Sequence, residues 1–387
     1  MRRGSSRGDP GAAGCASGRP DLHGGAGPRA ERPEVHPARA GRLRRSPLRY
    51  LTAAVLILIV CLLLLVQAGA TGVRQKPATS ALATCAATFR VGFVADVAGI
   101  DSRADAAGWR GVRDGLRGLT CTHADVAVPR RPSDYRQLLQ AYAGYDLVIA
   151  GSFLLTDAVV DVARTNPGTR FVLVDPMAAP MAQPNLAVLV FRDDQAAYLA
   201  GALAGMVTKT GVIAGVYGPF GAADQRNRAG FEHGAAYVRP GVRVLGAYQP
   251  AADGLPYANP GWGAAQARAF VRQGADVIFG IGGSTGKGAL RGAAQAGSPC
   301  IGPDDSSADP AVSACLLAST IKHPDRGVAL IVADAAAGHW AGGIRSVGLS
   351  EGALELAPVQ HEVSPGQLED LQTIGGRLSA GTLQTGA

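Results

Sequence analysis

The chain has 387 residues, room for two domains of ordinary size, and a formal charge of +7. Residues 1–50 hold eleven Arg against four acids, which leaves 26 basic and 26 acidic residues balanced over the remainder. A basic folded face of the kind that grips nucleic acid is thereby excluded, and no nucleic-acid partner is expected.

Residues 1–50 form a basic Gly/Pro/Arg-rich leader with too little apolar surface to build a core. It ends in Arg42, Arg44, Arg45 and Arg49, directly before the apolar run LTAAVLILIVCLLLLVQAGA at 51–70. About 20 apolar residues match the thickness of a bilayer core. The cations ahead of the run set the N-terminus inside and the rest of the chain outside. Two outcomes share this pattern. The run stays as a single-pass N-terminal anchor in the cell membrane, or cleavage after the A-x-A-like Ala68-Gly69-Ala70 releases the domain as a secreted protein. No lipid attachment is expected, because Cys61 lies inside the run and Cys85 falls too far beyond it. Residues 71–88 form a small-residue polar linker with a reach on the order of 23 Å.

From residue 89 short apolar runs alternate with segments of helical spacing. Strands are predicted at 89–95, 124–128, 145–153 and 170–175, and helices at 106–119, 134–143 and 156–166. Such alternation implies parallel pairing and right-handed crossovers. Three of the four strands run out into Asp, Gly or Ser, at the end where doubly wound sheets bind ligands. The alternation then repeats. A long helix is predicted over 191–210, then strands and helices in turn through 211–218, 225–238, 242–249, 262–273, 276–283, 287–296 and 300–305. Two lobes of one α/β architecture follow: 89–190 with about 321–345, and 191–320 with about 354–364. Residues 366–387 are expected to hold an amphipathic helix and then a flexible tail.

Four cysteines lie in the exported part, an even number that suits disulfides in an oxidising compartment. Cys85 and Cys121 each precede a predicted neighbouring strand, and Cys300 and Cys315 each begin a short apolar run. The expected pairs are Cys85–Cys121 and Cys300–Cys315, with four unpaired buried thiols as the alternative. None has zinc-site spacing, so no metal and no cofactor are expected.

Two catalytic readings are tested by spacing. In G-S-T-G-K-G a phosphate loop would need Gly where Ile281 stands and Ser or Thr where Gly288 stands. The same stretch, G-G-S-T-G at 282–286, fits a nucleophile elbow, with Ser284 followed by Asp304 or Asp334 and then His339 or His361. No oxyanion segment of the HGGG type lies upstream, and an enzyme is not expected.

A set of segments in fixed order carries a resemblance: V-G-F-V-A-D at 91–96, Y-D-L-V-I-A-G-S-F-L-L-T-D-A at 145–158, and F-R-D-D-Q-A-A-Y-L-A-G at 191–201. It continues with G-F-E-H-G at 230–234, G-G-S-T-G-K-G at 282–288, I-G-P-D-D at 301–305 and S-T-I-K at 319–322. Over about 88–365 the chain resembles the basic membrane protein, or PnrA-like, family of substrate-binding proteins, which serve nucleoside ABC transporters. The resemblance implies a type I periplasmic-binding fold, two doubly wound parallel-sheet lobes with a ligand cleft between them. It implies an extracytoplasmic monomer that captures a nucleoside-like small molecule and presents it to an ABC permease. A membrane-anchored sensor using the same cleft is the alternative.

The residues carried over make chemical sense in such a cleft. Asp96 ends the first strand as an acceptor, Phe153 follows the third as a stacking face, and Asp304 suits two ribose hydroxyls. Gly282, Gly283 and Gly286 let backbone approach the ligand, and Lys322 lies on a crossing segment. Asp157, Phe220 and Thr285 are placed in the same ligand set. The family's Phe-Asn pair is absent from D-S-R-A-D-A-A-G-W at 101–109, where Asp105 or Arg103 stand as substitutes that favour a more polar ligand.

Overall fold

The computed structural model describes residues 87–387 except 179, 253–254, 304–305 and 359–362. The leader, the apolar run 51–70 and Cys85 lie outside the described residues. Among those described, no helix is long and apolar enough to cross a membrane.

The first series runs β1 (Phe89–Val94), α1 (Arg103–Gly115), β2 (Thr122–Ala127), α2 (Tyr135–Ala141), β3 (Leu147–Ala150), α3 (Thr156–Thr165), β4 (Arg170–Val174) and β5 (Leu186–Phe191). The second runs α4 (Asp193–Val207), β6 (Val212–Pro219), α5 (Ala222–Val238), β7 (Arg243–Gln249), α6 (Pro260–Arg272), β8 (Ile278–Gly280), α7 (Gly283–Gln295), β9 (Cys300–Pro303), α8 (Pro310–Ser313) and β10 (Leu316–Lys322). The chain closes with α9 (Pro324–Ala336), β11 (Gly343–Val347), β12 (Leu354–Pro358) and α10 (Pro365–Ser379).

Two six-stranded sheets result, ordered β11-β5-β4-β3-β1-β2 and β12-β10-β9-β8-β6-β7. The first is parallel throughout, and in the second only β12 runs antiparallel, against β10. The order β2-β1-β3-β4-β5 recurs as β7-β6-β8-β9-β10, so both sheets are the same doubly wound unit. The expected α/β class with two parallel-sheet lobes is borne out.

Each sheet is buried on both faces, which is why its strands read as unbroken apolar runs. In β1 and β3, Val91, Phe93, Leu147 and Ile149 face a core with α1 and α9, while Val94, Val148 and Ala150 face the opposite core with α2 and α3. The second sheet is sandwiched likewise, with Tyr217, Phe279 and Ile301 on one side and Ala214, Val216 and Ile278 on the other. Three segments pass between the sheets: β5 into α4, β10 into α9, and β11 into β12.

Cys300 and Cys315 are joined as a disulfide across the starts of β9 and β10, their Cα atoms 5.3 Å apart. Cys121 is also disulfide-bonded. The C-terminal residues depart from the expectation of a flexible tail. Thr385 is 2% exposed, donates to Asp194 Oδ2 at 2.5 Å, and its carbonyl meets His233 Nδ1 at 2.6 Å. The tail thereby adds a second donor to a buried carboxylate in the first turn of α4 that Arg192 already pairs with.

Candidate functional site

A cavity of about 450 Å³ opens where the C-terminal ends of the two sheets face each other. Phe153, Asp175 and Met177 reach it from loops of the first sheet. Asp224, Asn227, Tyr257, Ile281, Gly282 and Gly283 reach it from the second, and Asp193 and Lys322 come from the crossing segments.

Lys322 ends β10 at the centre. Its Nζ lies 2.8 Å from Asp175 Oδ2 and 2.9 Å from Asp193 Oδ1, and 5.0 Å from the centre of the Phe191 ring. Burial works against the ammonium, but the carboxylates of Asp175 and Asp193 outweigh it and hold the lysine above its usual range. Asp193, in the first turn of α4, is 5% exposed. Burial raises its pKa, with Lys322 pulling the other way. Asp175 takes φ of 53° at the end of β4. A non-glycine residue in this left-handed region is held there at a cost on the order of 1–3 kcal/mol, and such strain gathers at ligand sites.

Asp224 opens α5. Its Oδ1 accepts from Gly218 N at 2.9 Å and its Oδ2 from the Tyr257 hydroxyl at 3.0 Å. Burial pushes the carboxyl up to about 6 against those two bonds, and it likewise raises the Tyr257 hydroxyl, with Asp224 adding to the effect. Tyr257 has φ of 63°, and its ring stands 6.2 Å from that of Phe153 across the cleft at 59°. Beneath it, Gln249 Oε1 accepts from Tyr257 N at 3.1 Å and from Thr285 Oγ1 at 2.7 Å.

The sequence-derived ligand set divides on this geometry. Phe153, Gly282, Gly283 and Lys322 line the cavity. Gly282 has φ of 98°, and a Cβ there would lie 2.2 Å from Gly218 N, so the turn between β8 and α7 requires glycine. The cavity walls do not include the other described members. Asp96 is spent on a local turn, its Oδ1 accepting from Ala98 N at 2.7 Å. Asp157 is exposed in the first turn of α3. Phe220 is 69% exposed, edge-on to Tyr248 with ring centres 5.3 Å apart. Thr285 is fully buried as scaffold for the Tyr257 loop, and a Cβ on Gly286 would meet Ile281 backbone at 2.5 Å, marking close packing inside α7. Asp304 lies outside the described residues. The proposed substitute Asp105 is buried below Asp96, whose N–H it accepts at 3.1 Å. Burial first, then the charge of Asp96, raises it to about 7.

Sequence reasoning missed Asp175, Asp193, Asp224, Asn227 and Tyr257. Asp175 alone carried a signal, as the acid ending an apolar run. Of the hydrolase reading, Ser284 is exposed on α7 and Asp334, on α9 in the other lobe, pairs with Arg345 at 2.6 Å, while Asp304 and His361 lie outside the described residues.

The profile of the PnrA-like ABC transporter substrate-binding proteins matches residues 131–375. A Listeria innocua protein named CD4+ T-cell-stimulating antigen is 29% identical over 215 residues, covering 52% of this chain and 56% of that protein. A Lactococcus lactis protein named ABC transporter nucleoside-binding protein BmpA is 32% identical over 149 residues, or 38% of this chain and 39% of that one. The chain thus spans little more than half the length of the first of these curated relatives, and less of the second. Among solved structures, an ABC transporter solute-binding protein from Aeropyrum pernix superimposes with a TM-score of 0.57 at 22% identity, covering 76% of this chain and 92% of that one. That likeness shows the fold. The resemblance read from the ordered motifs is borne out, and the chain belongs to the PnrA-like family of ABC transporter substrate-binding proteins.

Proposed function

We propose that the protein is the extracytoplasmic solute receptor of an ABC transporter and captures a nucleoside-like solute by closing its two lobes. The observation that carries this reading is the shared cavity, whose walls come from both sheets and from all three crossing segments. A solute touching both lobes stabilises the closed arrangement over the open one, and the crossings serve as the hinge. The nucleoside class is supported by the name of the Lactococcus lactis relative. It is also supported by the chemistry of the cavity, where Phe153 and Tyr257 offer ring faces and Asp224 and Asn227 offer polar edges. In this reading the run 51–70 tethers or exports the receptor, which acts as a monomer and delivers its solute to a membrane permease.

Calorimetry on the full-length chain in detergent, with purine and pyrimidine nucleosides and simple sugars, tests it. At about a hundredfold excess over the dissociation constant, a bound nucleoside should add roughly 2.7 kcal/mol of stability. Absence of binding to every nucleoside would overturn the ligand class. N-terminal sequencing of the mature protein separates the tether from the cleaved leader.

A further inference from the structure

The charges around the cavity do not balance. Three carboxylates line it, those of Asp175, Asp193 and Asp224, and among the described residues Lys322 is the one cation that does. Lys322 is shared between Asp175 and Asp193 Oδ1. Asp193 Oδ2 is buried and accepts no hydrogen bond, and the guanidinium of Arg226 stands 3.9 Å from it, outside the cavity wall. Asp224 has only neutral donors, the Gly218 amide and the Tyr257 hydroxyl. Apart from Asn227 and Thr320 the rest of the wall is apolar or glycine, with Phe153, Tyr257, Met177 and Ile281 prominent. A closed cleft strips water from these carboxylates, and a buried charge without a counter-charge is costly.

We infer that the cleft selects a solute bearing a positive charge, a nucleoside-like ring with a protonated or alkylated nitrogen, and discriminates against anionic counterparts such as nucleotides. The cationic solute supplies the counter-charge that Asp224 lacks and adds to the Arg226 charge near Asp193 Oδ2, which accepts no hydrogen bond, while Phe153 and Tyr257 present the ring faces on which organic cations rest. A phosphate would instead meet three carboxylates and a lysine already committed to two of them. This inference rests on the cavity being the solute site proposed above.

The test is calorimetry on the full chain with matched compounds: adenosine against 1-methyladenosine and 5′-amino-5′-deoxyadenosine, guanosine against 7-methylguanosine, and adenosine against its 5′-monophosphate. At least one cationic member should bind about tenfold or more tighter than its neutral parent, as a charge-assisted hydrogen bond exceeds a neutral one, and the monophosphate should bind more weakly. In Asp224→Asn, and separately in Asp193→Asn, the cation-to-neutral preference should collapse. If no cationic member outbinds its parent, the inference fails while the nucleoside reading stands. If choline or spermidine binds and no nucleoside does, the charge selection holds and the nucleoside reading fails. Binding of neither class overturns both.

Discussion

Replacing Lys322 with Met keeps the length of the stem and removes the ammonium that Asp175 and Asp193 share. The two contacts, at 2.8 and 2.9 Å, are each worth roughly 4 kcal/mol or more at an effective dielectric near 20, but most of that offsets desolvation. Orphaning a buried charge costs about 3–5 kcal/mol. Lys322 and Asp175 side chains are each 32% exposed, so water screens part of the arrangement and the low end applies, about 3 kcal/mol. The cost should depend on pH in a defined sense. Burial raises the Asp193 pKa above its unfolded value, and a carboxyl raised by folding stabilises the fold when protonated, an effect lost as pH rises through the folded pKa. Without the lysine that bias grows. Urea unfolding of Lys322→Met should therefore show a loss of about 3 kcal/mol at pH 8 and a smaller loss at pH 5. A loss below about 1 kcal/mol that is equal at both pH values would mean a solvated surface pair, and the reasoning would fail.

Gly282→Ala should lower stability by about 3 kcal/mol, since φ of 98° and a Cβ 2.2 Å from Gly218 N leave no relaxed alternative; an unchanged melting temperature would show that the turn yields. Asp105→Asn should gain on the parent protein as pH rises. The parent loses the stability of its protonated Asp105 between the unfolded value near 4 and the folded value of about 7, whereas the amide does not titrate. Halving the conversion available between pH 5 and pH 8 for the coupling to Asp96 gives a relative gain of about 1.3 kcal/mol, read by urea unfolding, and a flat difference would refute it. Thr385→Val removes the 2.5 Å donor to Asp194 Oδ2, and should cost about 1 kcal/mol because Arg192 still pairs with that carboxylate. A thermal melt identical to the parent would release the tail from this role.

The fold was largely legible because burial on both faces writes itself into composition. FRVGFV, LVIA and RFVLV read as strands in any context that hides both sides, and the order of elements, met twice, implies two lobes. Boundaries were less legible. The helix expected from 106 begins at Arg103, since the Ser102 side chain accepts from Asp105 N and caps it. The Asp105 carboxylate is turned inward by donors of its own, its Oδ2 accepting from the Ser102 hydroxyl at 3.2 Å and from Asp96 N at 3.1 Å. The strand-end rule fits Asp175 as well as Asp96, for each ends an apolar run, yet only Asp96 entered the ligand set. Only the backbone separates them: Asp96 folds back on Ala98 N, and Asp175 turns into the left-handed region and towards Lys322. Tyr257 was beyond reach, because its loop is shaped by Gln249, which is itself held by Thr285, 36 residues further on.

Under the proposed closure, the position of the charged groups bears on how a solute would act. Asp193 and Lys322 belong to two crossing segments, and hydrogen bonds stitch the crossings together: Arg192 N to Val347 O at 2.8 Å, His323 N to Ala353 O at 2.9 Å, and Leu349 N to Gln195 Oε1 at 2.9 Å. A contact made to Asp193 or Lys322 is therefore made to the hinge itself. A solute resting on Phe153 and Met177 alone would touch one lobe, bind open and closed forms equally, and shift nothing however tightly it bound. A solute that also engages Asp193 and Asp224 meets the hinge and the second lobe together. Its electrostatic energy is then differential between the two arrangements, which is the form of energy that moves such an equilibrium.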